Sequence, residues 1–209
     1  MPHALVRLLT LVLLALAVPL RGAAPAEDPA PALLSTIDNV LDLTIGHPPE
    51  TIISHLPKIR ATMEESFATN AIVQRAFGRN WAKLTPAQQK DVIELLGQII
   101  IRTYASQLSN AKRPKVTIVS SKLIAPERRE IISNAAVGDR SINIVYRMAP
   151  IDGRWKVYDV IAENISVVGN YRQQFDAHFE KKGAIELVDL LREKLNAPIE
   201  ENPTEPVVK

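Results

Sequence analysis

Residues 155–175 read WKVYDVIAENISVVGNYRQQF, and their apolar period changes partway along. In the first half Trp155, Val157, Asp159 and Ile161 alternate with Lys156, Tyr158, Val160 and Ala162, the period of two that a pleated strand requires. After Asn164 the spacing lengthens. Ile165, Val168, Tyr171, Arg172 and Phe175 recur three and four apart, which places them on one stripe of a helix. The stretch therefore predicts a strand that turns directly into a helix, inside a domain that uses both.

Working back from Trp155, the pairs Asp152-Gly153 and Gly138-Asp139 read as tight turns between strands. Between them Ile142, Ile144, Tyr146 and Met148 share one face while Asn143, Val145 and Arg147 share the other. Glu130 to Val137 and the run Val116, Ile118, Ser120 supply two earlier strands. Four strands joined by short connections make an antiparallel meander.

Upstream the period is helical. Thr85, Pro86 and Gln88 form a capping box with proline at the first helical position. The stripe Leu95, Leu96, Ile99, Ile100, Tyr104, Leu108 follows, long enough to wall a core. An earlier helix is expected from near Leu33 to Gly46, on Leu34, Ile37, Leu41 and Ile45. Another is expected from Glu50 to Phe67, kinked or split by Pro57. Downstream, Gly183 separates the corner helix from a last one carrying Leu187, Val188, Leu191 and Leu195. The predicted fold class is α+β: a four-stranded antiparallel sheet covered on one face by about six helices, with an apolar cavity between them.

Residues 1–26 read as a secretory signal peptide, with Arg7 before the apolar run Leu8 to Leu20 and a small-residue site at Ala24-Pro25-Ala26. The run is broken by Pro19 and is too short to span a bilayer. Residues 27–197 are then one domain, and 198–209 a polar, proline-containing tail that reads as disordered. Of the 25 basic residues, two (Arg7 and Arg21) fall in the leader, so the remaining 23 balance the 23 acids. A neutral chain whose basic clusters are no longer than Lys112-Arg113-Pro114-Lys115 lacks the footprint of a nucleic-acid binder. With no cysteine there is no disulfide, thiolate metal site or cysteine nucleophile, so an exported domain of this kind rests on its core alone.

The corner WKVYDVIAENIS followed by NYRQQF resembles the signature of the toluene-tolerance family, which includes soluble periplasmic phospholipid carriers of the maintenance-of-lipid-asymmetry ABC transport system. Phe77-Gly-Arg-Asn-Trp81, Leu84-Thr-Pro-Ala-Gln-Gln89 and Arg102-Thr-Tyr-Ala105 extend the resemblance upstream. One departure stands at the corner itself, where the family has Gly and this chain has Asn164, the residue that best tolerates the left-handed conformation after Gly. The resemblance implies a periplasmic phospholipid-binding protein that shuttles lipid. Its implied partners are an inner-membrane ABC permease complex and an outer-membrane lipoprotein complex, with no cofactor and no catalysis.

The residues agree with a carrier. No G-x-S-x-G, H-E-x-x-H or Gly-rich phosphate loop occurs, and no histidine falls within the sheet. Exposing acyl chains to water costs about 0.8 kcal/mol per CH₂, so a shuttle must enclose them. The predicted lipid-binding wall is Tyr104, Ile142, Ile144, Tyr146, Trp155 and Val157, closed on one side by Ile165 and Val168. Polarity selects this face, since Asn143, Arg147 and Lys156 occupy the opposite one. Two alternatives stay open: a carrier of another apolar molecule such as a hopanoid, and a cavity-bearing enzyme with Asp159 as its base.

Overall fold

The computed structural model describes residues 25–198. The expected signal peptide, apart from Pro25 and Ala26, and the expected tail beyond Pro198 lie outside the described residues. Six helices and one antiparallel sheet make up the domain, in the order expected.

The first helix, α1 (Ala30–Thr44), begins three residues before Leu33 because Pro29 and Pro31 lie at its first turn. There a missing N–H costs nothing, so the prolines start the helix instead of preceding it. α2 (Pro49–Glu64) runs without interruption through Pro57, where a kink or split was expected. α3 (Thr69–Phe77) passes into a 3-10 turn, Gly78–Lys83, through Gly78 at φ 52°. A side chain there would be strained by that φ and would also press on Arg172 Nε at 3.1 Å. α4 (Pro86–Ser109) carries the full capping box: Gln88 N–H donates to Thr85 Oγ1 at 3.3 Å, and Thr85 N–H to Gln88 Oε1 at 2.9 Å.

The sheet comprises β1 (Lys115–Ala125), β2 (Arg128–Val137), β3 (Arg140–Ile151), β4 (Arg154–Ala162) and a fifth strand, β5 (Ile165–Ser166), hydrogen-bonded in that order and all antiparallel. The fifth strand replaces the expected first turn of the corner helix. Glu163 and Asn164 both take positive φ, 50° and 66°, which folds Ile165 and Ser166 back beside Ala162 and Ile161. α5 (Val167–Lys181) starts only after that reversal, and α6 (Ala184–Asn196) closes the chain.

β4 departs from strict alternation. Arg147 pairs with Asp159 and Met148 with Val157, so Tyr158 is an extra residue with no partner in β3. This bulge shifts every later side chain by one. Trp155 and Val157 share the face of Met148 before it, while Val160 and Ala162, opposite Tyr146 and Ile144, take up that face after it. Asp159 and Ile161 were expected with Trp155 and instead stand opposite Arg147 and Val145.

Packing falls into three groups. Phe77, Leu96, Phe175 and Leu191 centre the contact of α3, α4, α5 and α6. Leu33 of α1 packs on Ile131, Met148, Trp155 and Val157 of the sheet. Ile52 and Ile59 of α2 meet Ile101 and Ala105 of α4.

Candidate functional site

Between the sheet face that carries Tyr146 and the helices α1, α2 and α4 lies a cavity of about 600 Å³. Three local features of the sequence open it. The helical period of α4 turns Ile101, Tyr104, Ala105 and Leu108 toward it. The strand period of β3 points Ile142, Ile144 and Tyr146 at it from the other side. The bulge at Tyr158 then adds Val160 and Ala162 from β4.

The wall is buried at one end and open at the other. Ile59, Ile101, Ala105 and Tyr146 are 1–5% exposed and form the closed end. Tyr104 and Ile142, each 40% exposed, and Ile165, 62% exposed, border the mouth. Tyr104 is accessible by area, yet burial pushes its hydroxyl pKa up. The two agree because Tyr104 borders the cavity, which is partly shut off from bulk water. At the closed end burial also raises Tyr146, whose hydroxyl oxygen accepts from Ser133 Oγ at 3.4 Å.

Three charged side chains border the cavity: Lys112, Arg140 and Asp159. Asp159 is fully engaged. Ser166 Oγ donates to its carboxylate at 2.8–2.9 Å, the Val168 N–H at 3.2 Å, and the Arg147 guanidinium lies 3.6 Å away. Ser166 Oγ in turn accepts from Gly169 N–H at 2.8 Å, so the two side chains together satisfy the first turn of α5. A carboxylate is well placed there, against the positive end of the helix. Among the described residues no group of three or more His, Cys, Asp or Glu side chains could hold a metal ion.

Of the eight residues expected in the wall, Tyr104, Ile142, Ile144, Tyr146 and Ile165 border the cavity. Trp155, Val157 and Val168 do not. Trp155 and Val157 lie on the expected face, but past the closed end, where they pack with Leu33 and the Trp155 indole N–H donates to the Pro25 carbonyl at 2.9 Å. Val168 is buried, and Val167 borders the cavity in its place because α5 begins after β5 rather than at Asn164. Sequence reasoning missed Val160 and Ala162, whose place depends on the bulge, and Ala135 and Val137 of β2. Ala135 and Val137 alternate along β2, the signal in the sequence that marks its cavity face.

The profile of a known family, described as MlaC protein, matches residues 54–193. The chain belongs to the MlaC family. The matched stretch starts within α2 and ends within α6, so every wall of the cavity except α1 falls inside it. An intermembrane phospholipid transport system binding protein of this family, MlaC of Haemophilus influenzae, is 25% identical over 126 residues. That similarity spans 57% of this chain and 59% of the relative. A phospholipid-binding protein from Ralstonia solanacearum, solved in complex with a phospholipid, superposes with a TM-score of 0.71 at 23% identity over 81% of this chain and 97% of that one. The chain therefore shares its fold with that structure.

Proposed function

We propose that the protein binds a phospholipid by its acyl chains and carries it through the periplasm between an inner-membrane ABC permease complex and an outer-membrane lipoprotein complex. The observation that carries this reading is the cavity: about 600 Å³, walled mainly by aliphatic side chains from α1, α2, α4 and all five strands, and open at one end. An acyl chain gains about 0.8 kcal/mol for each CH₂ it removes from water, and such a wall offers it no unsatisfied polar group in exchange. Family membership and the phospholipid held by the Ralstonia protein support the choice of ligand. On this reading residues 1–26 direct export, residues 27–197 are the lipid-binding domain, and Asp159 caps α5 and is no base.

Organic extraction of the purified protein, followed by mass spectrometry, tests the proposal directly. Phospholipid is expected in stoichiometric amount. Protein that emerges lipid-free from a lipid-rich host, and takes up none from liposomes, would refute it. Recovery of a hopanoid instead would keep the cavity and change the cargo.

A further inference from the structure

Lys112 and Arg140 are the cations of the cavity border, and they belong to segments far apart in sequence. The sheet register brings them to one end of the sheet. Arg140 opens β3 opposite Val137, Ala136 lies opposite Lys115 at the start of β1, and Lys112 is three residues before Lys115. Both side chains are exposed, in the company of Val137, Ser141 and Ile142, which also border the mouth.

Neither cation is neutralised among the described residues. Among the described residues no ion pair or side-chain hydrogen bond engages Lys112 or Arg140, whereas the adjacent Arg113 is paired with Asp42 at 2.5 Å and Asp38 at 3.7 Å. Asp139 lies in the turn just before Arg140 and does not border the cavity. The one acid that does, Asp159, is held by Ser166, Val168 and Arg147. Two uncompensated positive charges therefore stand where an apolar cavity meets water. A ligand whose chains fill the cavity would present its polar end at this place.

We propose that Lys112 and Arg140 form a seat for the phosphate of a phospholipid headgroup and bias the protein toward headgroups with net negative charge. The proposal rests on the lipid-binding reading above and goes beyond it, since the cavity alone selects chains and is indifferent to headgroup. A zwitterionic headgroup carries its own cation, which competes with the two side chains for the phosphate. A headgroup such as glycerol carries none, and its charge is left to the protein.

The test is competitive loading with a phosphatidylglycerol and a phosphatidylcholine of matched short chains, supplied together as dissolved monomers, with the bound ratio read by mass spectrometry. Wild type is expected to favour phosphatidylglycerol by about threefold to tenfold, the size expected of two partly exposed charge contacts. Lys112→Gln and Arg140→Gln should each lower the ratio, and together bring it close to one. Lys181→Gln with Lys182→Gln, at the far end of α5, should leave it unchanged. Equal loading by wild type overturns the seat and leaves the cavity intact, whereas failure of either lipid to load removes the lipid-binding reading itself. A bias seen with vesicles and absent with dissolved lipid would assign the two cations to docking on a membrane surface and overturn the proposal. Excess glycerol phosphate forms the last arm. Loss of the bias only at large excess is expected of a headgroup seat, whereas tight binding of glycerol phosphate to lipid-free protein, abolished by Arg140→Gln, would make this a site for a free phosphate ester and overturn the headgroup assignment.

Discussion

α4 passes through two regions that treat its apolar stripe in opposite ways. Its first half, with Val92, Leu96 and Ile99, is packed against α3, α5 and α6. There the facing side chains are rings: Phe77 stacks on Phe175 at 4.4 Å, Trp81 meets Phe77 edge-on at 5.9 Å, and Tyr171 stacks on Phe175 at 6.1 Å. Its second half presents Tyr104, Ala105 and Leu108 to the cavity, across which stand mainly aliphatic side chains. The helix does not change character between the two halves. What changes is the volume offered from the other side, since aromatic side chains bury 150–250 Å² each and close the gap between elements, while shorter aliphatic ones leave it open. The cavity is thus a consequence of what faces α4 and cannot be located from α4 itself.

Removing atoms from each region separates them most sharply. Phe77→Ala should cost about 3–5 kcal/mol, because the ring is fully buried and its neighbours cannot collapse into the gap. Ile144→Ala should cost less, about 1–2 kcal/mol in lipid-free protein, since the side chain packs on the Ile131 and Tyr146 cluster on one side only and borders the cavity on the other. Urea unfolding of the two variants measures the difference. Equal costs would mean that the sheet side is as tightly packed as the helical side.

Adding a charge tests the same contrast through the ligand. Ile144→Asp puts a carboxylate where chains must lie, and it is expected to abolish lipid retention while the far-ultraviolet circular dichroism stays that of a folded protein. Asn143→Asp makes the same charge one residue away on the opposite face, where Asn143 is exposed, and should retain lipid. Arg147 is a poor site for this control. It lies 3.8 Å from Glu130 and 3.6 Å from Asp159, so an acid there would crowd three carboxylates. A folded Ile144→Asp that keeps its lipid would show that the chains do not run along β3.

These outcomes bear on how far the sequence could be read. Everything carried by a local period was legible: five of the six helices, α3 excepted, the capping box of Thr85 and Gln88, the turns at Gly138-Asp139 and Asp152-Gly153, and the cavity face of β3. What failed was periodicity extrapolated through an irregular residue. The bulge at Tyr158 has no composition signal of its own; it accompanies contacts made far away in sequence, with the Arg75 guanidinium 4.2 Å from the Tyr158 ring and the Phe67 segment bridged to Val157. Lys156 stands on the expected face, opposite Ala149, but its role there was not legible: it is 7% exposed, donates to the carbonyls of Glu64 and Glu65, and so satisfies the C-terminal end of α2. That role needs α2 to arrive beside β4, which no window of sequence around Lys156 reports.

Asp159 gives a smaller effect, at the junction between the two regions. Asp159→Asn keeps an oxygen that can accept from Ser166 and Val168 but loses the charge at the start of α5. The expected loss is about 0.3–1 kcal/mol, the usual worth of an anion near a helix N-terminus. Lipid binding should persist, because Asp159 borders the cavity with its carboxylate already held by Ser166 and Val168, and the aliphatic wall is unchanged. Loss of bound lipid from a folded, nearly fully stable variant would give Asp159 a direct contact with the ligand.

The smallest expected effect is a shift in one titration, and it asks whether the open end of the cavity is a surface or an interior. Tyr104 is 40% exposed, which taken alone would make it an ordinary surface tyrosine, yet burial holds its pKa above the usual value near 10. A tyrosine raised in the folded state keeps its stabilising contribution below the unfolded pKa, and that contribution is lost as pH rises through the folded one. Acyl chains that replace water against the ring would remove still more solvent from the hydroxyl and move its ionisation further up. The four tyrosines of the chain absorb together on ionisation, so the signal must be isolated by subtracting the alkaline absorbance titration of Tyr104→Phe from that of wild type. Tyr171 complicates the subtraction. Burial raises it first, and the charge of an ionised Tyr104 raises it further, so in the variant Tyr171 should titrate lower. That coupling has the same sign with and without lipid, and the comparison that matters is between the two difference curves. A later midpoint in the loaded protein places Tyr104 against the chains, inside the cavity. An unchanged midpoint would return Tyr104 to the outer surface and shorten the cavity wall by its outermost aromatic residue on α4.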